Sequence, residues 1–177
     1  FREVKYVIFA DDFEDGDGSN WETGKVRYGS GDSWEVRDRD ANAGSYSMDS
    51  DFRRSNSLPA DNYVSTPSLD LTLPVEAEFQ MAISYYAYYT YDGYQVQASS
   101  DGGDTWSAIE PNAGDAKQYY TIYNTAYYSN PLRGLKGYSY YGSSTGFTYS
   151  PDPQGWFKAT FDITEFCGSN DVKIRIV

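Results

Sequence analysis

The segment Ala77 to Tyr91 places Phe79, Met81, Ile83, Tyr85, Ala87, Tyr89 and Tyr91 on one phase of a two-residue repeat. Gln80, Ala82, Ser84, Tyr86, Tyr88 and Thr90 occupy the other phase. Successive side chains of a strand point to opposite faces, so the pattern predicts a β-strand whose first set looks into a core. The alternation returns in Phe157, Ala159, Phe161 and Ile163, and again in Val172, Ile174 and Ile176. No window of about 11 residues or more carries the i, i+3, i+4, i+7 apolar stripe of an amphipathic helix. A chain patterned this way must bury its apolar faces sheet on sheet.

Composition agrees, since 18% of the 177 residues are aromatic and 19 are tyrosines, side chains that strands accommodate well. The length suits one domain spanning 1–177 with its own core, and no stretch in the middle has linker composition. Further strands are expected at Val4 to Ala10, Ser33 to Arg37, Ser45 to Asp49 and Tyr94 to Ser100, with a short turn over Thr164 to Ser169. Asn62 to Leu73 contains Pro67, which cannot donate to a ladder, so this segment is expected at a sheet edge. About eight to ten short strands without helices predict an all-β fold, an antiparallel two-sheet β-sandwich with a jelly roll as the expected arrangement.

Ser99-Ser-Asp-Gly-Gly-Asp-Thr-Trp106 matches the Asp-box pattern S-x-D-x-G-x-T-W. Gly102 and Gly103 allow the positive φ of a hairpin turn, Asp101 can fold back onto the turn amides, and Trp106 offers an apolar anchor. The pattern occurs once, whereas a propeller would repeat it blade by blade at a period of roughly 40 to 50 residues. It therefore predicts one hairpin, with Asp101 as a turn former rather than a catalytic acid. Trp106 and Trp156 are expected to anchor the core.

Residues 112–153 differ in texture, being rich in Tyr, Gly and Ser with little alternation, and they hold nine of the tyrosines. A stretch this long is expected to fold over the sandwich as a covering loop and to carry any ligand preference. Tyr119, Tyr120, Tyr127, Tyr128, Tyr138, Tyr140 and Tyr141 in that loop, with Tyr86 and Tyr88 on the non-core phase of their strand, are candidate sugar-stacking residues. The alternative is that the loop packs over Tyr86 and Tyr88 and buries them.

Charge and missing residue types narrow the function. A net charge of −12 argues against nucleic acid and anionic membrane surfaces, both bound chiefly through basic patches. The chain has no histidine, which removes Ser-His-Asp, Cys-His and HExxH chemistry together. The lone Cys167 excludes an internal disulfide and suits a small buried apolar residue. No apolar run reaches the roughly 18 residues of a membrane span, so no membrane insertion is expected. The first residue is Phe1, which is consistent with a processed product or a piece of a longer protein.

Asp11-Asp-Phe-Glu-Asp-Gly16 with Trp21, Tyr63 to Leu71, Val96 to Trp106, Gly155 to Gly168 and Asp171 to Ile176 occur in collinear order over most of the chain. In these pieces the chain resembles the MAM-like jelly-roll domain of immune inhibitor A metalloproteases and the cleaved-adhesin domains of gingipain-type proteases. The resemblance implies an extracellular or cell-surface, noncatalytic module linked to carbohydrate or protein attachment, sometimes with a structural calcium. Asp12 and Glu14 stand at the positions that commonly help hold that ion, and Asp49 and Asp51 are further candidate ligands. The alternative is that these carboxylates are solvated turn formers. An EF-hand is excluded, because Asn20 stands where the loop that starts at Asp15 needs glycine. Such domains usually continue past the position of Val177 into a closing strand, so the sheet is expected to lack one unless a partner supplies it.

The leading expectation is a binding or adhesion module for a glycan or cell-surface partner. Its alternative is a structural subunit of a surface filament or layer, assembled by strand addition and tyrosine-rich contacts. A carboxylate-pair glycosidase is a third class, with no acid pair singled out.

Overall fold

The computed structural model describes residues 5–26, 34–50, 62–84, 94–113, 119–121, 136–138 and 156–177. In chain order the strands are β1 (Glu22–Lys25), β2 (Glu35–Arg37), β3 (Ser47–Asp49), β4 (Asn62–Ser65), β5 (Glu78–Ile83) and β6 (Val96–Ser99). They continue with β7 (Ser107–Ala108), β8 (Tyr119–Thr121), β9 (Lys136–Tyr138), β10 (Phe157–Asp162) and β11 (Lys173–Ile176). Helical structure among the described residues is limited to one 3₁₀ turn, Thr164–Phe166. The protein is all-β, as the two-residue periodicity predicts.

Five strands form the larger sheet in the order β1-β4-β11-β6-β7, and the pairs β10-β5, β2-β3 and β8-β9 complete the set. Every named pairing is antiparallel. The core lies between the five-stranded sheet and the β5–β10 pair. Val96, Ala98 and Ile174 from the first, with Val172 just before β11, meet Ala159 and Phe161 from the second, with Ile163 just after β10, in one buried cluster. Register enforces this, because Ile174 stands opposite Ala98 and Ile176 opposite both Val96 and Val64. In the other layer Phe161 pairs with Phe79, their ring centroids 6.0 Å apart, and Ala159 pairs with Met81. Phe161 is completely buried.

Two expectations need correction. The segment with Pro67 is not an edge: β4 lies between β1 and β11. Pro67 falls two residues beyond the strand's last position, where its missing N–H interrupts no ladder bond. The chain continues past it through Leu69, which exchanges backbone hydrogen bonds with Val172 at 2.7 and 3.0 Å. Lys5 to Ala10 is not a strand either. Tyr6, Val7 and Ile8 stay exposed, Val7 at 78%, so β-forming composition without a neighbouring strand makes no ladder.

The stretch 112–153 holds structure of its own in the β8–β9 ladder, which sets Tyr119 opposite Tyr138 and Tyr120 opposite Gly137. Tyr86, Tyr88, Tyr127, Tyr128, Tyr140, Tyr141 and Asp51 lie outside the described residues. β11 is paired on both sides, by β4 and β6.

Candidate functional site

The Asp-box hairpin closes on itself. Ser99 Oγ donates to Asp101 Oδ1 at 2.6 Å, and Thr105 donates its amide to Oδ1 at 2.9 Å and its hydroxyl to Oδ2 at 2.6 Å. Gly103 N donates to Ser99 Oγ at 2.9 Å. These bonds, the Ser99 hydroxyl first and Thr105 next, hold the Asp101 carboxyl far below the usual carboxylate range. The hairpin is also tied to the strand beside it, since Gly102 N donates to the Asp171 carbonyl at 3.0 Å. At φ +72, a Cβ on Gly102 would stand 2.6 Å from Asp171 Oδ2. Trp106 does not enter the buried cluster: its ring lies 4.1 Å from the Arg175 guanidinium, which also approaches the Tyr63 ring at 5.5 Å. An indole beside a cation gains from the ring quadrupole, so Trp106 serves a polar stack rather than the core.

The acidic turn near the N-terminus is built differently. Asp11 Oδ1 accepts the Phe13 amide at 2.8 Å, and Oδ2 accepts Trp21 Nε1 at 2.9 Å. Phe13 adopts φ 63, a left-handed conformation that costs a bulky residue about 1–2 kcal/mol and is held here by the Asp11 bond and the Trp21 ring at 5.6 Å. Glu14 reaches far along the chain, its Oε1 accepting the amides of Ser45 and Tyr46 at 2.8 and 2.9 Å. Gly44, at φ +76, permits the approach, because a side chain there would collide with the Glu14 carboxylate. Asp12 Oδ1 accepts the Glu14 amide at 3.2 Å, and Asp49 pairs with Arg39 at 3.6 Å. Among the described residues no three acidic or cysteine side chains gather to hold a metal. The described donor set fits a clamp on the backbone rather than a calcium shell of about six to eight oxygens.

That clamp shapes one wall of a cleft of about 1780 Å³. Its floor is inter-sheet, with Val64, Ile174 and Ile176 on one side and Phe79, Met81 and Ile83 on the other. Residues 5–13, Trp34, the loop between β2 and β3 and β3 itself also line the cleft. Trp34, Tyr46, Tyr94 and Trp156 line it, all partly buried. Trp34 and Tyr94 meet edge to face at 6.1 Å, and Tyr94 Oη lies 3.3 Å from Ser50 Oγ. Trp156 Nε1 donates to Asp40 Oδ1 at 3.2 Å, while Ser47 Oγ donates to the Asp40 carbonyl at 2.5 Å and secures the loop. Trp156 is thus a wall of the cleft, not the core anchor expected of it. Among the described residues the buried Trp34 indole N–H has no hydrogen-bond partner, a state that costs about 1–3 kcal/mol.

Of the sequence-predicted site residues, the structure places Asp12, Glu14 and Asp49 near this cleft's walls and sets Tyr119, Tyr120 and Tyr138 in the β8–β9 ladder. Trp34, Tyr46 and Tyr94 were not anticipated as site residues. The available signal was a tryptophan at position 34 amid polar neighbours, Ser33 and Glu35. No helix among the described residues is long and apolar enough to cross a membrane. In comparisons with known proteins, no protein-family model and no curated protein matches the chain.

Proposed function

We propose that this chain is a noncatalytic extracellular module of the jelly-roll accessory type, and that it binds a surface or secreted glycan in the cleft between its sheets. The observation that carries this is the cleft's lining. Flat rings at Trp34, Tyr46, Tyr94 and Trp156 stand with polar groups at Asp40 and Ser50 and an indole donor that has no acceptor among the described residues. Sugar rings offer apolar faces to such aromatics and hydroxyls to such polar groups. The tyrosines at 86, 88, 119, 120, 127, 128, 138, 140 and 141 are proposed as flanking contacts on sequence grounds alone.

Self-assembly by strand addition has little support from the ends of the five-stranded sheet. β1 is four residues long with Glu22 and Lys25 exposed, and β7 has two residues with Pro111 soon after. A monomer at all concentrations in sedimentation would dismiss that alternative.

A structural calcium has the acidic turn in its favour and the engagement of Glu14 by backbone amides against it. Equal melting midpoints in EGTA and in excess calcium would remove the ion from the proposal, and a rise with calcium would keep it. For the glycan itself, an array screen followed by calorimetry is the test. The expected result is binding to at least one polysaccharide and a loss of about tenfold or more on Trp156→Ala. A folded protein that binds no polysaccharide would overturn the proposal.

A further inference from the structure

The described lining of the cleft is acidic. Among the described residues seven carboxylates line it against two cations, Lys5 and Arg39, and Arg39 is already 3.6 Å from Asp49. The whole chain adds to that field with its net charge of −12. A concave site walled by one sign of charge concentrates ligands of the opposite sign and repels its own. Uronic, sulfated and sialylated polymers are therefore disfavoured.

One place in the cleft joins the two kinds of group that an amino sugar presents. Trp156 offers a partly buried indole, and its N–H holds Asp40 Oδ1 at 3.2 Å, so a carboxylate stands fixed at the ring's edge. Asp40 is exposed and its Oδ2 accepts no hydrogen bond among the described residues. The Ser47 hydroxyl on the Asp40 carbonyl keeps the loop in place. A hexosamine would lay its apolar ring face on the indole and direct its ammonium to Asp40, combining stacking with a charge-assisted hydrogen bond. A neutral hexose would use only the first interaction.

Resting on the glycan-binding reading, we infer that the ligand is a polymer of amino sugars with free, protonated amines, and that Trp156 and Asp40 form the subsite for one such unit. The test is calorimetry on the intact chain with four pentamers in a buffer that keeps amines protonated: glucosamine, N-acetylglucosamine, glucose and galacturonate. The glucosamine pentamer should bind about tenfold tighter than the two neutral ones, with galacturonate weakest and the preference shrinking as salt rises. Asp40→Asn keeps an acceptor for the Trp156 N–H and should reduce the amine preference to about threefold or less. Should that variant fail to melt like the parent, the pentamer series on the parent chain decides alone. Neutral pentamers binding as tightly as glucosamine would overturn this inference and leave the glycan reading standing. No binding to any pentamer or array glycan would overturn both. A lysine pentamer binding as tightly as glucosamine would show that charge alone is read and would overturn the amino-sugar assignment.

Discussion

Asp101 and Glu14 both sit in exposed acidic turns close to glycines with positive φ, yet their carboxylates reach very different distances along the chain. Asp101 is satisfied within four residues, by Ser99 and Thr105. Glu14 crosses 31 and 32 residues to take the amides of Ser45 and Tyr46. The first arrangement staples a hairpin to β6 and the neighbouring Asp171, where the core is complete. The second positions the loop that carries Asp40 and Tyr46 to the cleft. A carboxylate spent locally stabilises the sheet, and one spent at long range organises the site. Both look the same as a short run of Asp, Glu and Gly.

Substitutions on the two turns should therefore separate stability from binding. The largest stability loss is expected at Gly102→Ala, about 2 kcal/mol or more, since a left-handed conformation and the Asp171 carboxylate both oppose the methyl group. Urea denaturation measures it, and ligand affinity of the folded fraction should match the parent. Ser99→Ala comes next at about 1–2 kcal/mol, because a buried hydroxyl that organises Asp101 and Gly103 is removed. Glu14→Ala reverses the pattern: a smaller shift in urea midpoint than Ser99→Ala, with glycan affinity falling about fivefold as the Ser45–Tyr46 backbone is released. Equal effects of Glu14→Ala and Ser99→Ala on both readouts would erase the distinction between the turns.

The smallest effect is in acid. The folded-state pKa of Asp101 is depressed, so its contribution to stability is full above the ordinary aspartate value of about 3.9 and is lost as pH falls below it toward the folded value. Asp101→Asn should flatten that part of the acid limb in a pH series of thermal melts. An unchanged limb would mean that the hydrogen bonds seen around Asp101 do not persist in solution.

The strands were legible wherever period-2 patterning met a local turn signal. Phe157 to Ile163 and Val172 to Ile176 show the alternation in burial that their sequences predict, with Phe161, Val172 and Ile174 fully buried. The Asp-box turn was legible for the same reason, because the partners of Asp101 and Ser99 within it lie inside seven residues. Long-range partners were not. Pro67 argued for an edge, although a proline forbids only its own ladder position. Tyr6, Val7 and Ile8 have strand-forming side chains, but nothing in their own sequence supplies a neighbour. Trp156 read as a core anchor because its ring is apolar, and its true setting depends on Asp40, 116 residues away. Trp34 belongs with Tyr94, 60 positions on, by a contact that no local pattern announces.

The chain's four tryptophans divide between the two settings, with Trp21, Trp34 and Trp156 on the cleft and Trp106 on the Arg175 stack beside the hairpin. Their indole N–H resonances, followed by ¹⁵N-¹H NMR during titration with a bound oligosaccharide, test the placement of the site most directly. Trp34 should shift strongly as its N–H gains an acceptor, Trp156 should shift with it, and Trp106 should stay still. Movement of Trp106 with Trp34 and Trp156 unmoved would contradict it.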